Sequence, residues 1–338
     1  MEYRRFGNSN LETSVIGFGC WPMGRGMYGS FVENEAIKAI HKALDLGVTL
    51  FDTAQVYGWG ASEELLGRAL IGKRHDSIIV TKGGKRWVDN PSLGTYDTED
   101  SRGTPETLDS SKQLLNKMLE DSLRRLQTDY IDLFLIHAPD TSRPLSEPME
   151  VFTKWKEEGK IRYGGVSNFS VAQMEESLKT FPIICNQVGY SLFNRQPEEE
   201  MFPSCRKHGV GIMAYASLAS GLLTGAITAD TKFEEDDWRR NLYRRWGYTL
   251  FEGEHFIRNL ETVEKLKKIA VSRGKTIAQL AVAWVLSNPG VTVALTGVRR
   301  PSEIEDNAVA GGWKLTDEVK AEIEAVFEEY TREASEGL

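Results

Sequence analysis

Apolar residues along this chain fall into short runs that alternate with longer stretches in which they recur every three or four positions. The short runs are 15–19 (VIGFG), 48–52 (VTLFD), 77–81 (SIIVT), 131–136 (IDLFLI), 161–166 (IRYGGV), 183–187 (IICNQ), 210–214 (VGIMA) and 291–295 (VTVAL), and each predicts a buried β-strand. The longer stretches predict helices near 33–46, 62–70, 107–127, 147–158, 171–179, 197–207, 257–286 and 302–309, with a further helix after 315 in LTDEVKAEIEAVFEEY. In the first of them Ala36, Ile37, Ile40, Ala43 and Leu44 share one face. Gly47, Gly159 and Gly209 each follow a helical stretch, the position where a left-handed residue ends a helix.

Eight strand-then-helix units predict an α/β fold with a parallel sheet closed as a (β/α)8 TIM barrel, the alternative being an open doubly wound sheet. No linker rich in Pro, Gly or Ser divides the 338 residues, so a single domain over 1–338 is expected. Two connections, 83–106 after the third strand and 219–256 after the seventh, are too long for plain loops and suggest lids.

Composition narrows the function. A net charge of −8 argues against a nucleic-acid binder. RRNLYRRW (239–246) mixes basic and aromatic residues but directly follows EEDDW, so local charge pairing in a flap over the cavity is the better reading. The three cysteines, Cys20, Cys185 and Cys205, are odd in number and lack CxxC spacing, so neither a disulfide framework nor a zinc site is expected. The N-terminus has no apolar leader core and no run of 18 apolar residues occurs, so a cytoplasmic protein without a membrane span is expected. No heptad or interface stripe speaks to oligomeric state. Gly24–Gly29 fits G-x-G-x-x-G, but it begins several residues after its strand, so the tight strand–turn–helix of a Rossmann site is not expected.

The chemistry is concentrated at the carboxyl ends of the strands, where active sites of parallel barrels gather. Asp52 ends the second strand, with Tyr57 in the loop beyond it. Thr81 and Lys82 end the third, His137 follows the fourth, Ser167 and Asn168 end the fifth, and Asn186 and Gln187 the sixth. Tyr215 ends the seventh, and Thr296 and Gly297 the eighth. Singly, each has a bland reading: His137 as a satisfied core histidine, Lys82 as a solvated strand end, Asp52 as a turn cap, Tyr57 as packing. Together, on neighbouring strands, they converge. A buried Lys82 needs a counter-charge, which Asp52 supplies. The ammonium then favours the phenolate of Tyr57, and a phenol so poised can give a proton to a carbonyl oxygen and recover it in reverse. His137 can orient the same oxygen. Neither a metal nor a nucleophilic serine is called for. Side chains cannot supply hydride, so a nicotinamide cofactor is implied.

These residues resemble the aldo-keto reductase family along nearly the whole chain. The resemblance is carried by GVTLFDTAQVYGWGASEELLGRAL, IIVTKGG, RLQTDYIDLFLIHAPD, GKIRYGGVSNFS, SGLLTG and GVRRPSEIEDNAVA, in a form similar to bacterial members found with sugar and inositol catabolism. It implies a barrel whose catalytic tetrad is Asp52, Tyr57, Lys82 and His137. It also implies that Ser167, Asn168 and Gln187 hold a carboxamide and that Tyr215 stacks on the nicotinamide. Ser217, Leu218, Gly221, Leu222 and Gly225 wrap the pyrophosphate. Gly297, Arg299, Arg300, Glu303 and Asn307 lie at the adenosine end. An arginine fork suits a 2′-phosphate, so NADP(H) is the favoured cofactor.

Two departures stand out. Residues 215–218 read YASL where many relatives read Tyr-Ser-Pro-Leu, and Glu303 stands where relatives often carry Arg or Gln. An inward carboxylate there would repel a 2′-phosphate, which keeps NAD(H) open. Trp21, Trp59 and Trp87 are expected around the substrate pocket, whose ligand is an aldehyde, ketone or alcohol, with sugars among the candidates. Two other readings are a cofactor-binding regulatory or redox-sensing subunit with little turnover, and a Schiff-base aldolase built on Lys82.

Overall fold

The computed structural model describes residues 1–24, 31–85, 108–233, 237–241 and 249–336. The body of the Gly24–Gly29 motif, Trp87, most of the 83–106 connection and most of RRNLYRRW lie outside the described residues.

The chain begins with two short strands, β1 (Tyr3–Arg5) and β2 (Glu12–Ser14), paired antiparallel. Eight further strands follow: β3 (Ile16–Gly19), β4 (Leu50–Asp52), β5 (Ile78–Gly83), β6 (Ile131–Ile136), β7 (Ile161–Ser167), β8 (Cys185–Gly189), β9 (Gly211–Tyr215) and β10 (Val291–Gly297). They close into a barrel in which each strand pairs in parallel with the next and β10 returns to β3. All eight apolar runs form strands, with ends within two residues of those expected, and the open-sheet alternative falls away.

Helices α1 (Glu33–Asp45), α2 (Ala61–Ala69), α3 (Lys112–Leu126), α4 (Ser146–Glu157), α5 (Val171–Leu178) and α6 (Met201–His208) are spaced between the barrel strands. Four more are α7 (Gly253–Val271), α8 (Ile277–Ser287), α9 (Pro301–Ala310) and α10 (Asp317–Glu336). The single helical stretch expected at 257–286 is two helices. Gly274 takes a left-handed φ of 65° just past α7, and Thr276 starts α8 with a capping box closed by Gln279. Apolar periodicity runs straight through such a break because both helices bury an apolar face, α8 against β10 and α7 against α8 and α10. The connection 219–256 contains a compact turn at Ala219–Thr224 and a shorter one at Trp238–Asn241 before α7 begins.

Two large apolar cores and a small cluster of Ala54, Val56 and Tyr57 result among the described residues. One large core lies between the strands and the helices. The other fills the barrel with Leu50, Val80, Leu133, Leu135, Met213 and Val293, joined by Phe6 and Leu11 from the loop between β1 and β2. Residues 1–14 carry no strand signal in the sequence, because three-residue strands are too short to show an alternation. Their purpose is visible in the packing. Phe6 is fully buried, and a Cβ added at Gly211, where β9 begins, would lie 2.9 Å from its ring, so it closes the barrel floor. The next residue, Gly7, has φ 48°, and a Cβ there would meet the Gly209 carbonyl oxygen at 1.8 Å. All three cysteines are buried thiols outside any disulfide. Among the described residues no helix is long and apolar enough to cross a membrane.

Truncating the floor plug tests this packing. Phe6→Ala is expected to cost about 3 to 5 kcal/mol, read as a lower urea midpoint at unchanged slope; a loss below about 1 kcal/mol would show that the floor is not closed by this ring.

Candidate active site

β4 and β5 are adjacent, with Asp52 in register with Val80, so the last residue of β4 and the lysine two places further along β5 meet at the barrel mouth. Lys82 Nζ donates to Asp52 Oδ2 at 2.8 Å, to the Thr53 carbonyl at 2.8 Å and to the Tyr57 hydroxyl at 3.1 Å. An ammonium has three protons, and all three are used. The other Asp52 oxygen accepts from Gln187 Nε2 at 2.8 Å, a bond that crosses the barrel from β8. Lys82 is 0 % exposed, Asp52 4 %, Tyr57 5 % and His137 7 %.

Local sequence explains why Tyr57 faces the ammonium. Thr53 and Ser62 share a hydroxyl bond of 2.9 Å, and Ser62 donates to the Cys20 carbonyl at 3.0 Å, tying the loop to β3 and to α2. Gln55 donates to the Lys82 carbonyl at 3.1 Å. Gly58, Trp59 and Gly60 follow with φ of 61°, 53° and 91°, a left-handed turn that leads into α2. There Glu63, fully buried, accepts from Thr81 at 2.6 Å and from Arg125 at 2.7 Å. The loop is thereby fastened to the backbone of Lys82 and, through α2, to Thr81 beside it.

His137 directly follows β6 and sits edge-on to the Tyr57 ring, centroids 5.9 Å apart. Trp21 stacks on the other side of that ring at 5.3 Å. Burial drives the electrostatics. It pulls the Lys82 ammonium down and pushes the Asp52 carboxyl up, and each partner's charge opposes the shift in the other. Burial, with the positive charges of Lys85 and Lys82 behind it, holds His137 well below the ordinary histidine range, so it is neutral at neutral pH.

A cavity of about 590 Å³ opens above these groups, with Trp21, Tyr57 and His137 at its wall, and it extends to Arg299, Glu303 and Asn307. Ser167, Asn168, Gln187 and Tyr215 line its middle. Tyr215 donates to Asn168 Oδ1 at 2.9 Å, and Asn168 reaches the His137 carbonyl at 3.3 Å. Past β9 the backbone turns sharply, with Ala216, Ala219, Ser220 and Gly221 all at positive φ, and Ser217, Leu218 and Gly221 line the cavity. The Ser217 hydroxyl points back to the Ala214 carbonyl at 3.2 Å.

At the far end Gly297 and Asn307 are on the wall, and Glu303 grips both arginines. It accepts from the Arg299 backbone N–H at 2.7 Å, from the Arg299 guanidinium at 3.2 Å, and lies 3.3 Å from Arg300 Nε.

The cavity thus gathers most of the residues singled out in the sequence. Among the described residues Lys82, Leu222, Gly225 and Trp59 are not on it, nor are the strand-end residues Thr81 and Asn186; Lys82 lies behind Asp52 and Tyr57. Leu222 is fully buried in the core, Gly225 forms a left-handed turn at φ 73°, and Trp59 lies off the wall. Lys85, Arg239 and Thr296 line the cavity without having been assigned a role there. Lys85 follows the end of β5, where a lysine is ordinarily solvated, so its place on the wall has no signal in the sequence. Arg239 sits in the charged flap, where its guanidinium is paired with Asp237 at 2.6 Å.

The model of the Aldo/keto reductase family matches residues 15–328. The aldo-keto reductase YhdN of Bacillus subtilis (strain 168) is 37% identical over 331 residues, 97% of this chain and 94% of that protein. Among solved structures, the glycerol dehydrogenase AKR11B4 from Gluconobacter oxydans superposes with a TM-score of 0.85 at 35% identity, covering 97% of this chain and 95% of its own. An aldo/keto reductase from Klebsiella pneumoniae in complex with NADP and acetate superposes with a TM-score of 0.70 at 28% identity, covering 95% and 93%. By fold, by the residues at its mouth and by these matches, the chain belongs to the aldo/keto reductase family.

Proposed function

We propose that this chain interconverts an aldehyde or ketone and the corresponding alcohol with a nicotinamide cofactor, Tyr57 giving the proton. The observation that carries this reading is the Lys82 ammonium held 3.1 Å from the phenol oxygen while anchored on Asp52.

The cavity residues fit the cofactor. The buried Thr296 hydroxyl, on the cavity wall, has no hydrogen-bond partner among the described residues and so offers itself to a ligand. The left-handed residues Ala216, Ala219, Ser220 and Gly221 fold the backbone tightly along the cavity wall, which suits the close approach of a pyrophosphate. Ser167, Asn168 and Gln187 offer the amide and hydroxyl groups that a carboxamide needs, and Tyr215 offers a ring face. When bound, a reduced nicotinamide supplies hydride to the carbonyl carbon.

The chain's own residues do the rest. Tyr57 donates its proton to the carbonyl oxygen as that oxygen gains charge, which completes the alcohol. The phenolate left behind is stabilised by the Lys82 ammonium, and solvent returns the proton. His137, neutral, donates a hydrogen bond to the same oxygen and fixes its approach. Trp21 covers the phenol and limits water.

At the adenosine end the two arginines favour NADP(H), NADP being bound in the Klebsiella neighbour's complex, while Glu303 already occupies them. A 2′-phosphate must compete with that carboxylate, so NAD(H) is accepted as well. For the substrate, the glycerol dehydrogenase neighbour brings polyols and their carbonyl forms beside sugars as the compounds to try first.

Three outcomes are expected. Tyr57→Phe loses at least about 10²-fold in carbonyl reduction with cofactor affinity kept; wild-type rates in that variant would remove Tyr57 as the acid. Glu303→Gln shifts the Kd ratio of NADP(H) to NAD(H) about ten-fold toward NADP(H), since an anion no longer competes for the arginines; an unchanged ratio in fluorescence titrations would separate Glu303 from cofactor choice. The His137 ring, its proton affinity depressed by burial, keeps constant ¹⁵N shifts between about pH 6 and 8. A mid-range titration would make it an acid instead of a neutral donor.

A further inference from the structure

Lys85 stands two residues past the end of β5, beyond the left-handed turn at Gly84, which has φ 90°. Its backbone is bridged to Leu108, and the next residue, Asp109, donates its N–H to the Gly84 carbonyl at 3.0 Å. The position is therefore built into the barrel rim. Its side chain is half-buried on the wall that also holds Tyr57 and His137, close enough for its charge to act on the His137 ring.

Among the described residues, the carboxylates that could answer this charge are committed elsewhere. Asp52 is held by Lys82 and Gln187. Asp109 accepts from the Ser111 backbone and from Arg143, and Asp140 accepts from Arg143 and from Ser110. Among the described residues no carboxylate pairs with Lys85. Burial, with the positive Lys82 adding to it, brings its ammonium down to about 8, so it remains mostly charged at neutral pH. A desolvated cation without a counter-charge is costly, and in a cavity that binds small molecules the missing charge comes from the ligand.

We propose that Lys85 binds an anionic group, carboxylate or phosphate, on the carbonyl substrate, so that the preferred substrates are oxo-acids or phosphorylated aldehydes and not their neutral analogues. The inference rests on the reading of this cavity as a carbonyl-reducing site. The Tyr57 phenol and His137 engage the carbonyl oxygen, and Lys85, on the same wall, engages the charged end. Together they fix which face of the carbonyl is presented.

The test compares matched pairs at fixed NADPH: butanal against 4-oxobutanoate, and glyceraldehyde against glyceraldehyde 3-phosphate. In the wild type the anionic member of at least one pair is expected to have a kcat/KM about ten-fold or more above its neutral partner, and the pair that shows it separates carboxylate from phosphate. Lys85→Gln should bring that ratio to about one, and Lys85→Arg should retain it. Calorimetric titration with 4-hydroxybutanoate and with glycerol 3-phosphate, each into NADP⁺-loaded wild type and Lys85→Gln, reads the same contact without turnover. Reduction of both members at similar rates, or a ratio and binding unaltered in Lys85→Gln, overturns the role of Lys85. Failure to reduce any aldehyde while either alcohol still binds through Lys85 would instead overturn the reductase reading.

Discussion

A lysine ammonium with no solvent access is the constraint around which this molecule is arranged. Burying a lone cation costs several kcal/mol or more, so a chain that does so must surround it with acceptors. Here three acceptors meet three protons: the Asp52 carboxylate, the Thr53 carbonyl and the Tyr57 hydroxyl. One ends β4 and two come from the residues just beyond it, so the barrel's parallel order itself delivers them. A buried ion pair is weak evidence for stability, because the desolvation of both partners offsets their attraction. Its worth lies in what it does to the third partner. A phenol whose oxygen accepts from an ammonium is better placed to lose a proton than one in a neutral pocket, and that is the group that the proposed reaction uses.

Around this centre the supports are arranged in layers. Gln187 braces Asp52 from across the barrel, and Gln55 ties the Tyr57 loop to the Lys82 backbone. The buried Glu63 joins Thr81, next to the lysine, to Arg125 on α3. Removing any one of these leaves a buried polar group without its partner, the costly side of hydrogen-bond energetics. The rest of the cavity carries charge unevenly. The arginines at the far end are already answered by Glu303, while Lys85 beside the reacting groups has no carboxylate among the described residues. In the proposed function that asymmetry separates the two ends into a cofactor side and a substrate side.

The barrel was legible because buried parallel strands are continuous apolar runs, and their carboxyl ends could be read off directly. Asp52, Lys82 and His137 stood out as polar residues where apolar runs stop, and Tyr57 followed from the logic of the buried ammonium. Other features had no such signal. The β1–β2 hairpin is too short for a pattern, although Phe6 plugs the barrel floor. The split between α7 and α8 hides inside a continuous apolar periodicity and is marked only by Gly274 and the Thr276 capping box. Trp59 is adjacent to the site in sequence but off its wall, because a left-handed turn intervenes. Leu222 and Gly225 shape the cavity segment from behind instead of lining it. Lys85 went unread because a lysine after a strand is ordinarily solvated, and only the cavity wall shows otherwise.

The most direct measurement of the central interaction is a double-mutant cycle on single-turnover reduction with Asp52→Asn, Lys82→Met and the pair combined. Because the two groups act as one unit on Tyr57, the double variant should be no slower than the slower single variant, within about two-fold. Losses that multiply would mean that Asp52 and Lys82 act separately, and the account of a single ion pair tuning the phenol would be contradicted.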